Sequence, residues 1–230
     1  MEKAIFKKRI NIFCGHYGSG KSEISVNTAF LLKEKFDDVL LADMDIVNPY
    51  FRSFDAKTAL ENRGIKVVAP MYANTNVDIP VVGSEISVSL RHNSRRVILD
   101  VGGDEDGATI LGRFCHEISQ NEYDMFFVLN RARPMTINPE ETLNYIYEIE
   151  AASRLRITGI INNTHYLEET TADDIMYGLE LSREIEKKTG IPIFATAVME
   201  GMKDKLEGKI DHPLIVLRKN LFLPFNHPVY

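Results

Sequence analysis

The sequence predicts an α/β fold: a three-layer, mostly parallel sheet of about seven strands with helices on both faces. Three observations carry that expectation. Short β-branched or aromatic runs alternate with longer helical stretches from end to end, the pattern of βαβ units. A glycine-rich segment, residues 15–22, stands directly between the first run and the first helical stretch. Three runs end in acidic or amide side chains, at the place where open α/β sheets bind ligands. No repeat or low-complexity linker divides residues 1–230, so a single domain is expected.

Strands are expected over residues 10–14, 39–42, 65–69, 97–99, 125–129, 157–161 and 193–195. The first helical stretch follows the glycine-rich segment and reaches Phe36. Residues 70–95, with Asn74, Asn76, Pro80 and Gly83, read as a loop before a short helix over 85–92. Leu111, Phe114 and Cys115 share a helical stretch. Asn138-Pro139-Glu140-Glu141 supplies an N-cap, a first-turn proline and two acids for a helix dipole, and Leu143, Ile146, Ile149 and Ala152 follow at helical spacing. A further helix begins at Thr170 or Thr171 with Asp173 and Asp174 in its first turn, carries Ile175, Leu179 and Ile185, and stops at Gly190 before Pro192.

Composition narrows the function classes. The net charge of −6 argues against a basic nucleic-acid surface, leaving only a local patch at Arg91, Arg95 and Arg96. Two cysteines, Cys14 and Cys115, allow neither a disulfide framework nor a four-cysteine zinc site, and both read as core thiols. The histidines lack HxxxH or HExxH spacing, and GxSxG is absent. No apolar run approaches the roughly 20 residues needed to span a bilayer. Lys3, Lys7, Lys8 and Arg9 flank an apolar patch of only five residues, so the amino terminus does not match a secretory signal. A cytoplasmic location without membrane attachment is expected. The stretch from Leu221 to Pro228 has two prolines and almost no charge, unlike a basic amphipathic anchor.

Gly15-His16-Tyr17-Gly18-Ser19-Gly20-Lys21-Ser22 satisfies GxxxxGK[ST] in the strand-to-helix setting that the motif requires. Glycines let the backbone turn so that successive N–H groups face phosphate oxygens, and the following helix adds its positive end. Lys21 should reach the β- and γ-phosphates, and the Ser22 hydroxyl should ligate Mg²⁺. The second strand ends in Asp43-Met44-Asp45 and the fourth in Asp100-Val101-Gly102-Gly103-Asp104. Asp100 is placed to hold Mg²⁺ directly or through water, and Gly103 to offer its N–H to the γ-phosphate, a contact that exists only while that phosphate does. The fold expected is therefore that of a P-loop NTPase.

These motifs, with Ile46-Val47-Asn48-Pro49 after Asp45, together resemble the MinD, ParA, Mrp and nitrogenase-iron-protein group of deviant P-loop ATPases, over residues 9–197. DxDIxxP is similar to switch I of Mrp-type iron–sulfur carriers, and DVxGD to switch II of nitrogenase iron protein. The resemblance implies ATP and Mg²⁺ as cofactors and an ATP-dependent homodimer with a further protein or small-molecule partner. It implies that Asp45 orients the attacking water beside the metal, that Asp43 supports the metal shell, and that Asp100 is the Walker B acid. Asn162, at the end of the sixth strand, matches the group's adenine-reading asparagine; Asn130-Arg131, after the fifth, is a further candidate for base or ribose contact.

The chain also departs from the group. His16 and Tyr17 replace the Lys-Gly pair that opens KGGxGK[ST], whose lysine reaches the partner's phosphates across the dimer. Candidates to replace that lysine are His16, with an ordinary pKa of about 6.5, Arg52 and Arg131. The paired cysteines of iron–sulfur carriers are absent. Tyr50-Phe51 could serve a partner contact or the core. The expected function is a nucleotide-dependent switch or carrier with segments 45–53 and 102–107 responding to ATP. Two alternatives stand beside it: phosphoryl transfer to a small acceptor, as in dethiobiotin synthetase or cobyrinate amidation, with loop 71–84 as the pocket, and a nucleotide-gated binding module with negligible turnover.

Overall fold

A computed structural model describes residues 5–45, 57–69, 78–103, 105–118 and 122–220, with the side chains of 78–82 and 105 left aside. In chain order the strands are β1 (Ile10–Cys14), β2 (Val39–Asp43), β3 (Lys66–Val68), β4 (Arg96–Asp100), β5 (Tyr123–Leu129), β6 (Gly159–Asn162), β7 (Ile193–Met199) and β8 (Leu214–Leu217). The helices are α1 (Lys21–Lys33), α2 (Lys57–Asn62), α3 (Asp78–Arg91), α4 (Glu105–Gly112), α5 (Pro139–Ser153), α6 (Ala172–Thr189) and α7 (Lys203–Leu206). The strands form one parallel sheet in the order β3-β2-β4-β1-β5-β6-β7-β8. Chain order reverses on the two sides of β1, which puts the loop after β1 at the switch point where such sheets bind ligands.

Successive side chains of a strand face opposite layers, and both layers here are apolar. Ile10, Ile12 and Cys14 of β1 pack with Ile86 and Leu90 of α3, Leu111 of α4 and Tyr145, Ile146 and Ile149 of α5. Phe13 faces the other way, among Ile24, Ala29 and Leu32 of α1 and Leu60 of α2. On that side Phe6, Phe13, Phe126 and Phe194 form an aromatic cluster, with the Phe126 and Phe194 centroids 4.4 Å apart. Burying such side chains is the main driving force for stacking three layers, at about 1.5–3 kcal/mol each.

Several element boundaries differ from expectation for local reasons. β8 is an eighth strand: its four residues, Leu-Ile-Val-Leu, are too short a run to stand out in the sequence and pair with β7 at the edge of the sheet. β6 starts at Gly159 rather than 157, because Thr158 Oγ1 accepts the N–H of Met125 in place of a ladder carbonyl. α3 begins at Asp78, so residues 78–84 are helical rather than the loop expected there; Pro80 falls in the first turn, where its missing N–H costs no hydrogen bond. α4 stops at Gly112, whose carbonyl takes the Arg154 guanidinium, so Cys115 lies beyond the helix, partly buried against the core. Cys14 is buried, and burial pushes its thiol up to about 12.

Local signals hold elsewhere. Asn138 caps α5 by accepting the Glu141 N–H, and Thr171 and Asp174 form a reciprocal capping box at the start of α6, which Gly190 ends at φ 75°. The basic residues Arg91, Arg95 and Arg96 are engaged locally, with Glu117, with Asp38 and over the Phe36 ring. Among the described residues, no helix is long and apolar enough to cross a membrane. Tyr50, Phe51, Arg52, Asp104, residues 46–53 of the first switch segment, residues 71–77 and the 221–228 tail lie outside the described residues.

Candidate functional site

Between β1 and α1 the chain makes a six-residue turn, 15–20, in which Gly15, Gly18 and Gly20 adopt φ of 141°, 74° and 87°. A Cβ at Gly15 would lie 2.5 Å from Val128 O, so only glycine lets the loop leave β1 against β5. Ser19 N–H closes a turn on His16 O at 3.1 Å. Gly20 is the N-cap of α1 and provides no side-chain cap, which leaves the helix's positive end to an anion. Lys21 is buried, and its Nζ donates to His16 O at 3.2 Å, so the ammonium lies across the loop.

Two carboxylates close the site from the neighbouring strands. Asp43 of β2 stands opposite Asp100 of β4 in the sheet register, and both are buried. Met44 N–H donates to Asp100 O at 2.8 Å and Asp45 N–H to Asp43 Oδ1 at 3.0 Å, which fixes the first residues of the segment after β2. Asp100 Oδ1 is buried with no hydrogen-bond partner. Burial pushes the Asp100 carboxyl up to about 6; the Ser22 hydrogen bond and the Lys21 charge oppose the rise, and Asp45 adds to it. A hydroxyl, Ser22, and an under-coordinated carboxylate are hard oxygen donors of the type Mg²⁺ takes. Among the described residues no group of three His, Cys, Asp or Glu side chains could hold a metal, and a magnesium that keeps water and phosphate ligands needs none.

Gly103 completes the phosphate side. A Cβ there would lie 2.6 Å from Tyr17 N and 3.1 Å from Lys21 Nζ, so the backbone of the segment after β4 rests directly on the loop. The Tyr145 hydroxyl of α5 donates to Gly103 O at 2.9 Å, and its ring meets that of His16 edge-on. Lys21 and Ser22 at the start of α1, Asp43 and Asp45 at the end of β2, and Asp100 and Gly103 at the end of β4 thus lie together beside the glycine loop. Tyr145 is an addition that sequence spacing does not reveal.

The ends of β5 and β6 differ from expectation. Asn162, expected to read adenine, is fully buried: its amide donates to Ile175 O and its carbonyl accepts from Thr164, leaving no accessible atom for a base. Asn130, expected near base or ribose, is also fully buried and turns to the phosphate loop. Arg131 lies on the Tyr177 ring at 3.4 Å, donates to Tyr177 O and pairs with Glu180, so it faces α6 rather than the loop. Burial holds His16 below the ordinary histidine range, opposed by its contact with Tyr17 O and reinforced by the Lys21 and Arg133 charges. Arg133, not among the residues expected at the site, places Nε on Gly18 O at 3.0 Å. Its signal was an arginine just past the carboxyl end of β5, the edge where ligands bind. His165 accepts the Leu167 N–H at Nδ1, which leaves Nε2 protonated, buried and without a partner; burial lowers its pKa to about 4.

Comparisons with known proteins agree with this architecture. The cell division protein FtsY of Thermotoga maritima is similar at 22% identity over 80% of this chain and 59% of that one, with a TM-score of 0.53. The fold is that of a P-loop NTPase. Chloroplast FtsY of Physcomitrella patens matches at 17% identity over 82% of this chain and 58% of that one (TM-score 0.52). FlhF complexed with GTP and Mg²⁺ matches at 14% identity over 82% and 64% (TM-score 0.50). The chain spans about three fifths of the length of these structures. The likeness is one of fold. No protein-family profile and no curated protein matches the chain.

Proposed function

We propose that residues 1–230 act as one nucleotide-binding unit that takes Mg²⁺–ATP and hydrolyses it, serving as a nucleotide-dependent switch that closes as a homodimer. The observation that carries this reading is that Gly103 and buried Asp100, from the end of β4, meet Lys21 of α1 at the glycine loop. Ser22 and Asp100 would hold Mg²⁺, which neutralises charge on the β- and γ-phosphates when bound. Lys21 exchanges His16 O for phosphate oxygens, and Asp45 holds a water in line with the γ-phosphorus. Gly103 donates its N–H to the γ-phosphate; with its carbonyl tied to Tyr145, loss of that phosphate is felt at α5. Tyr17, Met135 and Ile137 stand 41–52% exposed on loops at this end of the sheet, apolar area that a second copy would cover.

The test combines titration with Mg²⁺–ATP and Mg²⁺–GTP, phosphate release and sedimentation mass on the native chain, Lys21→Ala and Asp45→Ala. The native chain is expected to bind ATP more tightly than GTP and to double its mass with ATP. Lys21→Ala should lose binding, and Asp45→Ala should bind without turnover. Equal behaviour of all three overturns the assigned roles. Tighter binding of GTP, the ligand in the FlhF structure, replaces the base assignment. Dimerisation without phosphate release identifies a gated binding module instead.

A further inference from the structure

In a trans peptide the carbonyl of one residue and the N–H of the next point in opposite directions, so whatever holds a loop carbonyl also aims the following amide. Three side chains from the ends of β5 and β6 hold two carbonyls of the glycine loop from outside. Asn163 Nδ2 donates to Ser19 O at 2.7 Å; Arg133 Nε and Asn130 Nδ2 donate to Gly18 O at 3.0 and 3.4 Å. The Gly18–Ser19 peptide is fixed at its other end too, since Ser19 N–H donates to His16 O. Asn130 is fully buried and Asn163 nearly so. The Oδ1 of Asn130 also accepts the N–H groups of Ala132 (3.0 Å) and His165 (3.3 Å), so one carboxamide joins the loops after β1, β5 and β6. A Cβ at Gly20 would lie 2.2 Å from Asn163 Nδ2, so the close approach of Asn163 depends on that glycine.

We propose that Asn163, Asn130 and Arg133 are positioning residues for the phosphate groups of the ligand: Asn163, on Ser19 O, aims the Gly20 amide away from itself and into the cradle before any ligand arrives, and Asn130 and Arg133, on Gly18 O, fix the preceding peptide so that the Ser19–Gly20 peptide keeps that orientation. The proposal rests on the phosphate-site reading above and assigns these residues a role distinct from base or ribose contact. A preformed cradle binds more tightly because its donors need no reordering. Because the base is not involved, Mg²⁺–tripolyphosphate should report the effect as well as Mg²⁺–ATP does.

The test is calorimetric titration of both probes into the native chain, Asn163→Ala, Arg133→Ala and Arg133→Gln, with melting curves to confirm folding. Asn163→Ala should weaken both probes to the same extent, by about tenfold, the usual effect of one lost hydrogen bond to a buried acceptor. Arg133→Gln, which keeps an amide donor at the place of Nε, should bind tripolyphosphate more tightly than Arg133→Ala. Should Asn163→Ala fail to fold, the half-buried Arg133 pair carries the test alone. Loss of ATP affinity with native tripolyphosphate affinity overturns the proposal in favour of a base or ribose contact. Native affinities for both probes, or an Arg133→Gln no better than Arg133→Ala, also overturn it. A native chain that binds neither probe overturns the phosphate-site reading itself.

Discussion

Substituting Gly103 by alanine tests the contact between the segment after β4 and the phosphate loop. The added methyl would lie 2.6 Å from Tyr17 N and 2.8 Å from Tyr17 Cα, both main-chain atoms, and 3.1 Å from Lys21 Nζ. The ammonium can swing aside; the loop cannot, because Gly18 and Ser19 are held by Asn130, Arg133 and Asn163. Restoring ordinary contact at 3.4 Å needs a separation of about 0.8 Å at Tyr17 N. Overpacking of this kind costs about 1–3 kcal/mol, which for a chain of this length lowers Tm by about 2–12 °C. It also withdraws the Gly103 N–H from the γ-phosphate position, so ATP affinity should fall more than ADP affinity. Thermal melts of the ligand-free chain and titrations with both nucleotides measure the two effects. A Gly103→Ala chain with native Tm and a native ratio of ATP to ADP affinity would refute the reasoning.

Three further outcomes are expected. Asp100→Asn should stabilise the ligand-free chain at pH 7 by up to about 3 kcal/mol while abolishing Mg²⁺-dependent turnover, because a carboxyl raised to about 6 is costly to keep ionised in the fold; denaturant midpoints and phosphate release check it. His165 titrates near pH 4 in the fold and near 6.5 when unfolded, so the unfolded chain binds the extra proton. Stability should therefore fall by about 3 kcal/mol as pH drops through that window, and His165→Gln should flatten this slope of the pH–stability curve. Thr171→Ala removes the hydroxyl that accepts the Asp174 N–H, leaving the backbone arm of the capping box of α6 in place, and should cost about 1 kcal/mol in a urea titration, without change in nucleotide affinity.

What the sequence made legible were features decided by neighbours along the chain. The glycine loop, the Asn138 and Thr171 caps and the Gly190 stop depend on residues within a turn of one another, so spacing suffices. That Asp43 and Asp100 each close a short apolar run, and so stand at the ligand-binding edge of the sheet, was also legible. Contacts that depend on which strand lies beside which were not. Asn163 meets Ser19 across 144 residues and Arg133 meets Gly18 across 115. The sixth strand presents the problem most sharply: Asn162 and Asn163 are adjacent and chemically identical, yet strand alternation turns one toward α6 and the other toward the glycine loop. Composition has no access to that choice; the twist and register of the assembled sheet make it. Tyr145 was missed for the same reason, since its helical spacing reads as core and only its hydroxyl reaches the site.

Gly20 gives α1 no side chain to finish its first turn. Whichever anion settles there becomes the missing terminus of a thirteen-residue helix that runs beneath the sheet's centre. Guest and scaffold then melt together, so heat resistance should climb with the logarithm of guest concentration, by about 2.7 kcal/mol at a hundred times Kd. A simple unfolding curve thereby doubles as a census of which anions the chain accepts.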